Sequence, residues 1–219
     1  MKDKYNMTKE ENVFLAKRNI VDSIWKSANL EGVAVTFPDT QTILEGSAIS
    51  GYTIDEQNVI LNLKDAWYFI LDNIDYPIDW QFYSKINKEI GERKLIINAG
   101  NIRKSPVKIG GTSWMPDIPD FDETKKNIEK ILKQNKSITE ISLDLMLYTL
   151  RNQTFLDGNK RTSMLLANKL LIENGKGILS IPNELKNEFA KLLIEFYETN
   201  NSDKIKIFLY ENCIDGLIL

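Results

Sequence analysis

The stretch Gln153-Thr154-Phe155-Leu156-Asp157-Gly158-Asn159-Lys160-Arg161-Thr162 gathers a carboxylate, a tight-turn dipeptide and two adjacent cations ahead of a strongly apolar run containing Met164, Leu165, Leu166, Leu170 and Leu171. Asp-Gly marks a turn and the apolar run a helix, so the cations fall in the first helical turn. A helix N-terminus offers unbonded backbone N–H groups and about half a positive charge, which suits an anion. Lys160 and Arg161 oppose that dipole and weaken an isolated helix. A phosphate held there would reverse the cost, because a guanidinium grips two of its oxygens at once. Asp157 stands where it could hold Mg²⁺, which takes one or two carboxylates together with substrate phosphates. The same string also reads as a plain connector followed by two solvated cations. An EF-hand is a poorer reading, since its alternating oxygen ligands and distal Glu are missing, and the Gly-x-x-x-x-Gly-Lys-Ser/Thr phosphate loop does not occur.

Composition narrows the chemistry further. The 219 residues are 42% apolar and 27% charged, an ordinary globular balance that excludes wholesale disorder. Lys plus Arg is 28 against 31 Asp plus Glu, so there is no broad basic footprint and no DNA partner is expected. The chain contains no histidine, which removes imidazole as base, acid or metal ligand. Cys213 is the one cysteine, so no internal disulfide forms and a reducing, cytoplasmic setting is expected. No apolar run approaches the roughly 20 residues of a membrane span, and Met1-Lys2-Asp3-Lys4 does not open a signal peptide.

The elements that must position this loop are helical. Thr8 with Glu11 forms a capping box opening a helix whose apolar stripe runs through Val13, Phe14, Ile20, Val21, Ile24 and Trp25. A turn at Phe37-Pro38-Asp39 and a short apolar–polar stretch from Thr40 to Ser47 follow. A second box, Thr53 with Glu56, opens a longer helix that Pro77 terminates, and Ile78 to Ile90 forms another. Helices are expected over Asp122–Gln134, over Ile138–Arg151 with Ser137 and Glu140 at its start, and over Arg161–Asn174 stopped by Gly175. Two more cover Pro182–Thr199 and Asp203–Cys213. Leu95 to Pro119 holds three of the six prolines and a Val107-Lys108-Ile109 alternation bounded by Gly110-Gly111, which predicts a loop carrying a β-hairpin. The expected class is mainly α with one small β element, in a single domain spanning 1–219: N-terminal helices over 1–75 and a core over 76–219.

Phe155-Leu156-Asp157-Gly158-Asn159-Lys160-Arg161 resembles the signature of the Fic (Fido) family, His-x-Phe-x-Asp/Glu-Gly-Asn-Gly/Lys-Arg. Val107 to Thr112, followed by Trp114-Met115-Pro116 and Ile118-Pro119, resembles that family's flap, here about 95–119. Leu44-Glu45-Gly46 resembles its inhibitory motif, Ser/Thr-x-x-x-Glu-Gly/Asn. The resemblance covers about residues 40 to 200 and implies a Fic-like helical bundle with a small β-hairpin flap. It implies binding of ATP or another nucleoside triphosphate with Mg²⁺, and transfer of AMP or a related phosphate-containing group to a hydroxyl of a target protein. On matching positions, Gly158, Asn159, Lys160 and Arg161 bind the nucleotide phosphates within the loop 153–162. Asp157 holds the metal, Phe155 anchors the loop in the core, and Glu45 is regulatory. Val107, Lys108, Ile109, Gly110, Gly111 and Thr112 receive an extended segment of the target by β-augmentation. Homo-oligomers are compatible with the family.

The chain departs from the pattern at three places. The family's catalytic His falls on Gln153, whose amide orients a hydroxyl but takes no proton near neutral pH. Where many members carry a further Arg after the first, this chain has Met164, and the first position of the inhibitory motif is Gln41. A positioned base contributes about 10²- to 10⁴-fold, so the alternative is a Fic-like pseudoenzyme that regulates by binding nucleotide or protein. Elsewhere, Trp25 and Trp67 read as core, Trp114 as target contact or packing, and Cys213 as a small buried residue. Asp117, Asp120, Asp122 and Glu123 read as a solvated face with helix-start carboxylates. Gln153→His is expected to raise label transfer from a nucleotide by about tenfold or more, with a rate climbing between about pH 6 and 7.5. Silence from both proteins in that assay marks a binding module, and strong wild-type labelling undiminished by Gln153→Ala marks an enzyme with another base.

Overall fold

Helix starts follow the side chains able to cap them. The computed structural model describes residues 1–217. Thr8 caps α1 (Lys9–Arg18) and Thr53 caps α4 (Ile54–Asp72), each with the reciprocal box to Glu11 and Glu56. Between them lie α2 (Ile20–Leu30) and α3 (Phe37–Leu44). The stripe through Val13 and Trp25 thus belongs to two helices rather than one. At the break, the Asn19 amide donates back to Leu15 O at 2.9 Å, competing with helix propagation. Phe37-Pro38-Asp39 is a helix start and not a turn: Thr36 accepts from Asp39 N–H, and Pro38 sits in the first turn, where its missing N–H costs nothing.

The remaining helices are α5 (Trp80–Gly91), α6 (Phe121–Leu132), α7 (Ile138–Asn152), α8 (Asn159–Glu173), α9 (Lys186–Thr199, entered through a 3₁₀ turn at Asn183–Leu185) and α10 (Asp203–Asn212). The small β element is real but lies elsewhere than expected. β1 (Ile178–Leu179) pairs antiparallel with β2 (Ile214–Asp215), Ile178 opposite Asp215 and Leu179 opposite Ile214. The hairpin expected around Val107-Lys108-Ile109 is absent: residues 101–109 and 112–120 are irregular, joined by a turn at Gly110-Gly111. That alternation has no complementary strand within reach, so its main chain stays unpaired.

Two apolar cores flank α7 and α8. One contains Leu165, Leu166, Leu170 and Ile172 of α8 with Ile24, Ile60, Tyr83 and Ile90 from the earlier helices. The other contains Met164, Ala167 and Leu171 with Phe189, Phe196 and Leu209 of α9 and α10. Every residue from Arg161 to Ile172 is buried, so α8 is covered on all sides, as a helix apolar around its circumference must be. Each fully buried Leu or Ile there contributes about 1.5–3 kcal/mol. Its buried polar residues are satisfied individually. Asn168 accepts from Leu179 N–H at 2.7 Å and donates to Leu179 O at 2.8 Å, fixing β1 to the helix. Lys169 reaches Ile74 O at 2.7 Å and Glu173 at 2.6 Å. The result is a central helix covered along its length, which meets solvent only near its two ends, at Lys160 and at Glu173.

Candidate functional site

Between α7 and α8 the chain makes a loop that side chains, rather than a ladder, hold in shape. Gln153 ends α7 in the left-handed region, at φ 46°, ψ 55°. Phe155 is buried against Tyr83 and Trp80, centroids 4.8 and 6.0 Å away, as its role of anchor requires. Gly158 starts α8 at φ +75°, and a Cβ there would lie 2.9 Å from Ile96 Cδ1 and 3.1 Å from Asn87 Nδ2. Backbone conformation and space both demand glycine at that position.

Asn87 of α5 fastens the loop from below. Its amide donates to Asp157 O at 3.0 Å and to Thr162 Oγ1 at 3.1 Å, and its oxygen accepts from Gly100 N–H at 2.8 Å. Sequence reasoning missed Asn87, whose neighbours in the chain give no hint of a loop 70 residues later. Asn159 turns inward. Its side chain accepts from Phe155 N–H at 2.9 Å and donates to Phe155 O at 2.8 Å, so it braces the loop internally. Gln153 is pinned on both faces of its amide: Nε2 donates to Leu150 O at 2.7 Å and to Tyr197 Oη at 3.3 Å, while Oε1 accepts from Asn159 Nδ2 at 3.2 Å. Burial raises the pKa of the Tyr197 phenol, and the bond from Gln153 opposes that rise.

Gln153, Asp157, Gly158, Asn159 and Lys160 line one cleft of about 370 Å³, together with Glu31, Val107–Gly110 and Ala190, Leu193, Ile194 and Tyr197 of α9. Gln153 and Asp157–Lys160 of the expected loop therefore meet Val107–Gly110 of the expected flap across a common space, whose lining does not include Arg161, Gly111 or Thr112. Because no side chain caps α8 at Gly158, the first-turn amides are left facing this region. Asp157 is 67% exposed, its Oδ1 accepting from Gly158 N–H at 2.5 Å. A single open carboxylate fits a hard cation that draws its other ligands from phosphate and water. No group of three or more metal-binding side chains occurs among the described residues.

The carboxylate that meets the two cations is Glu31, at the C-terminal end of α2. Its Oε1 lies 3.2 Å from Lys160 Nζ and its Oε2 3.2 Å from Arg161 Nε. Arg161 also approaches Asp157 at 3.8 Å. The Arg161 side chain is 7% exposed and that of Glu31 17%. Glu31 Oε1 and Arg161 Nε are buried without a directed hydrogen bond, so charge rather than hydrogen-bond geometry holds the cluster. Neither cation is the solvated surface charge that a connector would leave. Glu45 lies apart from the cluster: it is exposed at the end of α3 and accepts from Gln41 Nε2 at 3.0 Å. The signal for Glu31 was present. Ser27-Ala28-Asn29-Leu30-Glu31-Gly32 satisfies the Ser/Thr-x-x-x-Glu-Gly/Asn pattern at every fixed position, whereas 41–46 opens on Gln41.

A second cleft, about 430 Å³, lies on the other side of Trp114, lined by Asp117, Asp120, Glu123, Tyr148 and Arg151 among others. Trp114 stacks on Tyr197 with ring centroids 5.2 Å apart and carries the Arg151 guanidinium 4.6 Å from its ring centre. Asp120 caps α6 by accepting from Glu123 N–H at 2.8 Å. Trp25 and Trp67 pack with the first core, as expected. Cys213 is buried, and desolvation with nearby Asp215 pushes its thiol up to about 12, which leaves it inert.

Comparison with known proteins agrees with this architecture. Residues 77–171 match the Fic/DOC family. The chain is 30% identical over 178 residues to the protein adenylyltransferase Fic of Drosophila yakuba, covering 78% of this chain and 36% of that protein. It thus spans about a third of the length of the curated relatives it matches. Residues 134–508 of Fic-1 from C. elegans superpose with a TM-score of 0.71 at 20% identity, over 89% of this chain and 60% of that one. BepC, a VirB-translocated effector of Bartonella tribocorum solved with bound AMPPNP, superposes with a TM-score of 0.54 at 16% identity, over 74% and 88%. The chain contains a Fic/DOC domain over residues 77–171. It shares the family's mainly helical fold.

Gly158→Ala is expected to destabilise the protein by about 1–3 kcal/mol, from left-handed strain and the contact with Ile96. Urea denaturation measures it, and a change within about 0.5 kcal/mol would mean that the loop relaxes freely.

Proposed function

We propose that this chain binds a nucleoside triphosphate, ATP among the candidates, with its phosphates at the N-terminus of α8, and passes AMP or a related phosphate-containing group to a hydroxyl of a target protein. One observation carries the reading. The uncapped first turn of α8 and the cations Lys160 and Arg161 form an anion site, and Glu31 occupies it with a carboxylate. Arg161 and Lys160 take the outer phosphates, and the amides after Gly158 take the phosphate nearer the base. Ala190, Leu193 and Ile194 of α9, opposite Val107 and Ile109, supply the apolar walls that a base needs. Asp157 holds Mg²⁺, which when bound neutralises charge on the phosphates. The unpaired main chain of Val107–Thr112 is suited to receive an extended target segment. AMP transfer is supported by the relatives named protein adenylyltransferase.

In this reading Glu31 is the regulatory carboxylate, a part first assigned to Glu45. It neutralises Arg161 while the site is empty and competes with the outer phosphates for the same guanidinium. Removing it takes from a buried guanidinium the closer of its two carboxylates, leaving Asp157 at 3.8 Å, and an entering anion would make good the loss.

A second reading, a nucleotide-binding regulatory module without transfer, is favoured by the state of Gln153. Its amide is saturated by Leu150, Tyr197 and Asn159 and has no basic atom to offer a hydroxyl. Calorimetry with ATP, GTP, CTP and UTP in the presence of Mg²⁺ tests binding, and labelled nucleotide in a cell lysate tests transfer. Glu31→Gly is expected to tighten nucleotide binding by tenfold or more, and Arg161→Ala to weaken it by a similar factor. If wild type, Glu31→Gly and Arg161→Ala bind all four equally poorly, the site is not a phosphate site. Binding without label on any protein selects the regulatory module.

A further inference from the structure

Arg103 is 4% exposed and has no carboxylate within salt-bridge distance among the described residues, and burial lowers its pKa. A buried guanidinium is costly unless its donors are used. Here they are used on main-chain oxygens from three places. Nε donates to Gln153 O at 2.6 Å, Nη1 to Ser105 O at 2.8 Å, and Nη2 to Asp117 O. Arg103 N–H in turn donates to Thr154 O at 3.0 Å. Ser105 and Asp117 bracket the part of the flap that contains Val107–Thr112, and Gln153 is the residue at the position of the family histidine.

Two features make this junction more than packing. Among the described residues, no backbone–backbone hydrogen bond involves 104–119, so the flap has no ladder to define its shape. Gln153 is a non-glycine residue at φ 46°, a conformation that persists only where surroundings impose it. The same guanidinium thus closes the flap segment 105–117 on itself and grips the carbonyl of the strained residue. A second link runs through side chains: Trp114 of the flap stacks on Tyr197, whose hydroxyl accepts from Gln153 Nε2.

We infer that Arg103 is a positioning residue that joins the flap and residue 153 into one mechanical unit, so that a segment docked on 107–112 fixes the geometry at 153 and the reverse. The target-docking half of this statement rests on the proposed function, whereas the joint itself does not. Lysine cannot replace it, because one compact ammonium does not span three carbonyls that a planar fork reaches at fixed angles.

Amide hydrogen exchange on the full chain without nucleotide tests the joint, in wild type, Arg103→Met and Arg103→Lys. In both variants, the hydrogen-bonded amides at the joint, Arg103 N–H on Thr154 O, Trp114 N–H on Thr112 Oγ1 and Phe155 N–H on Asn159 Oδ1, should accelerate together by about tenfold or more, while those of α4 and α10 keep their wild-type protection. Arg103→Lys keeps the charge and is the variant to read if Arg103→Met fails to fold. A merely structural role predicts uniform acceleration over all helices, which would overturn the proposal. So would a flap that accelerates while 153–155 does not, or a lysine variant indistinguishable from wild type. Because nucleotide is absent, failure of this pattern is separate from failure to bind ATP.

Discussion

Two cations in the first turn of a buried helix have to be neutralised, and the rest of this structure is arranged around what does so. Lys160 and Arg161 sit where the α8 dipole is already positive, an opposition costing a few tenths to about 1 kcal/mol each at an exposed helix and more at a buried one. Solvent cannot relieve Arg161, whose side chain is 7% exposed. Glu31 relieves it, from a helix that precedes α8 by more than a hundred residues, and an entering phosphate would relieve it better. In the proposed function, folding and phosphate binding would therefore draw on the same charges. Glu31 Oε1 and Arg161 Nε are held by charge without directed hydrogen bonds, which under the proposed function would let a phosphate exchange with the carboxylate.

Such exchange requires a loop that does not collapse when Glu31 leaves. Asn87 and Thr162 hold Asp157 and Gly158 from beneath by their carbonyl oxygens, and Asn159 braces the main chain of Phe155. Phe155 buries the loop's apolar half in the first core. Above it, the flap is held by side chains, through the Arg103 bonds, the Trp114–Tyr197 stack and the Thr112 hydroxyl on Glu198, leaving the main chain of Val107–Thr112 without backbone partners. A braced loop beneath an unpaired strip of backbone is the division of labour that the proposed function would require, one ligand held firmly and a second met along an edge.

Much of this was legible in the sequence, for physical reasons that can be named. Caps are local, so Thr8, Thr53 and Ser137 marked helix starts correctly. The loop 153–162 announced itself through turn, charge and apolar run, all within ten residues. What failed was non-local. The alternation at Val107–Ile109 resembled a strand, but a strand needs a partner, and periodicity does not say whether one exists. β1 and β2, each two residues long, are defined by their pairing across the fold and leave no periodic trace. Asn87 acts on a loop 70 residues away. Glu31 differs from these: its motif was intact at 27–32, and the weaker match at 41–46 drew the regulatory role to Glu45. Only the position of α2 against α8 decides between two such strings.

The central claim is that Glu31 restrains nucleotide binding through Arg161, and a double-mutant cycle on MgATP affinity tests it most directly. Affinity is measured by calorimetry for wild type, Glu31→Gln, Arg161→Gln and the double variant. The account predicts that Glu31→Gln tightens binding by about tenfold or more when Arg161 is present and by less than about threefold when it is absent, a coupling of roughly 1 kcal/mol. Equal effects of Glu31→Gln in both backgrounds would contradict it, because the carboxylate would then act on the nucleotide without the guanidinium.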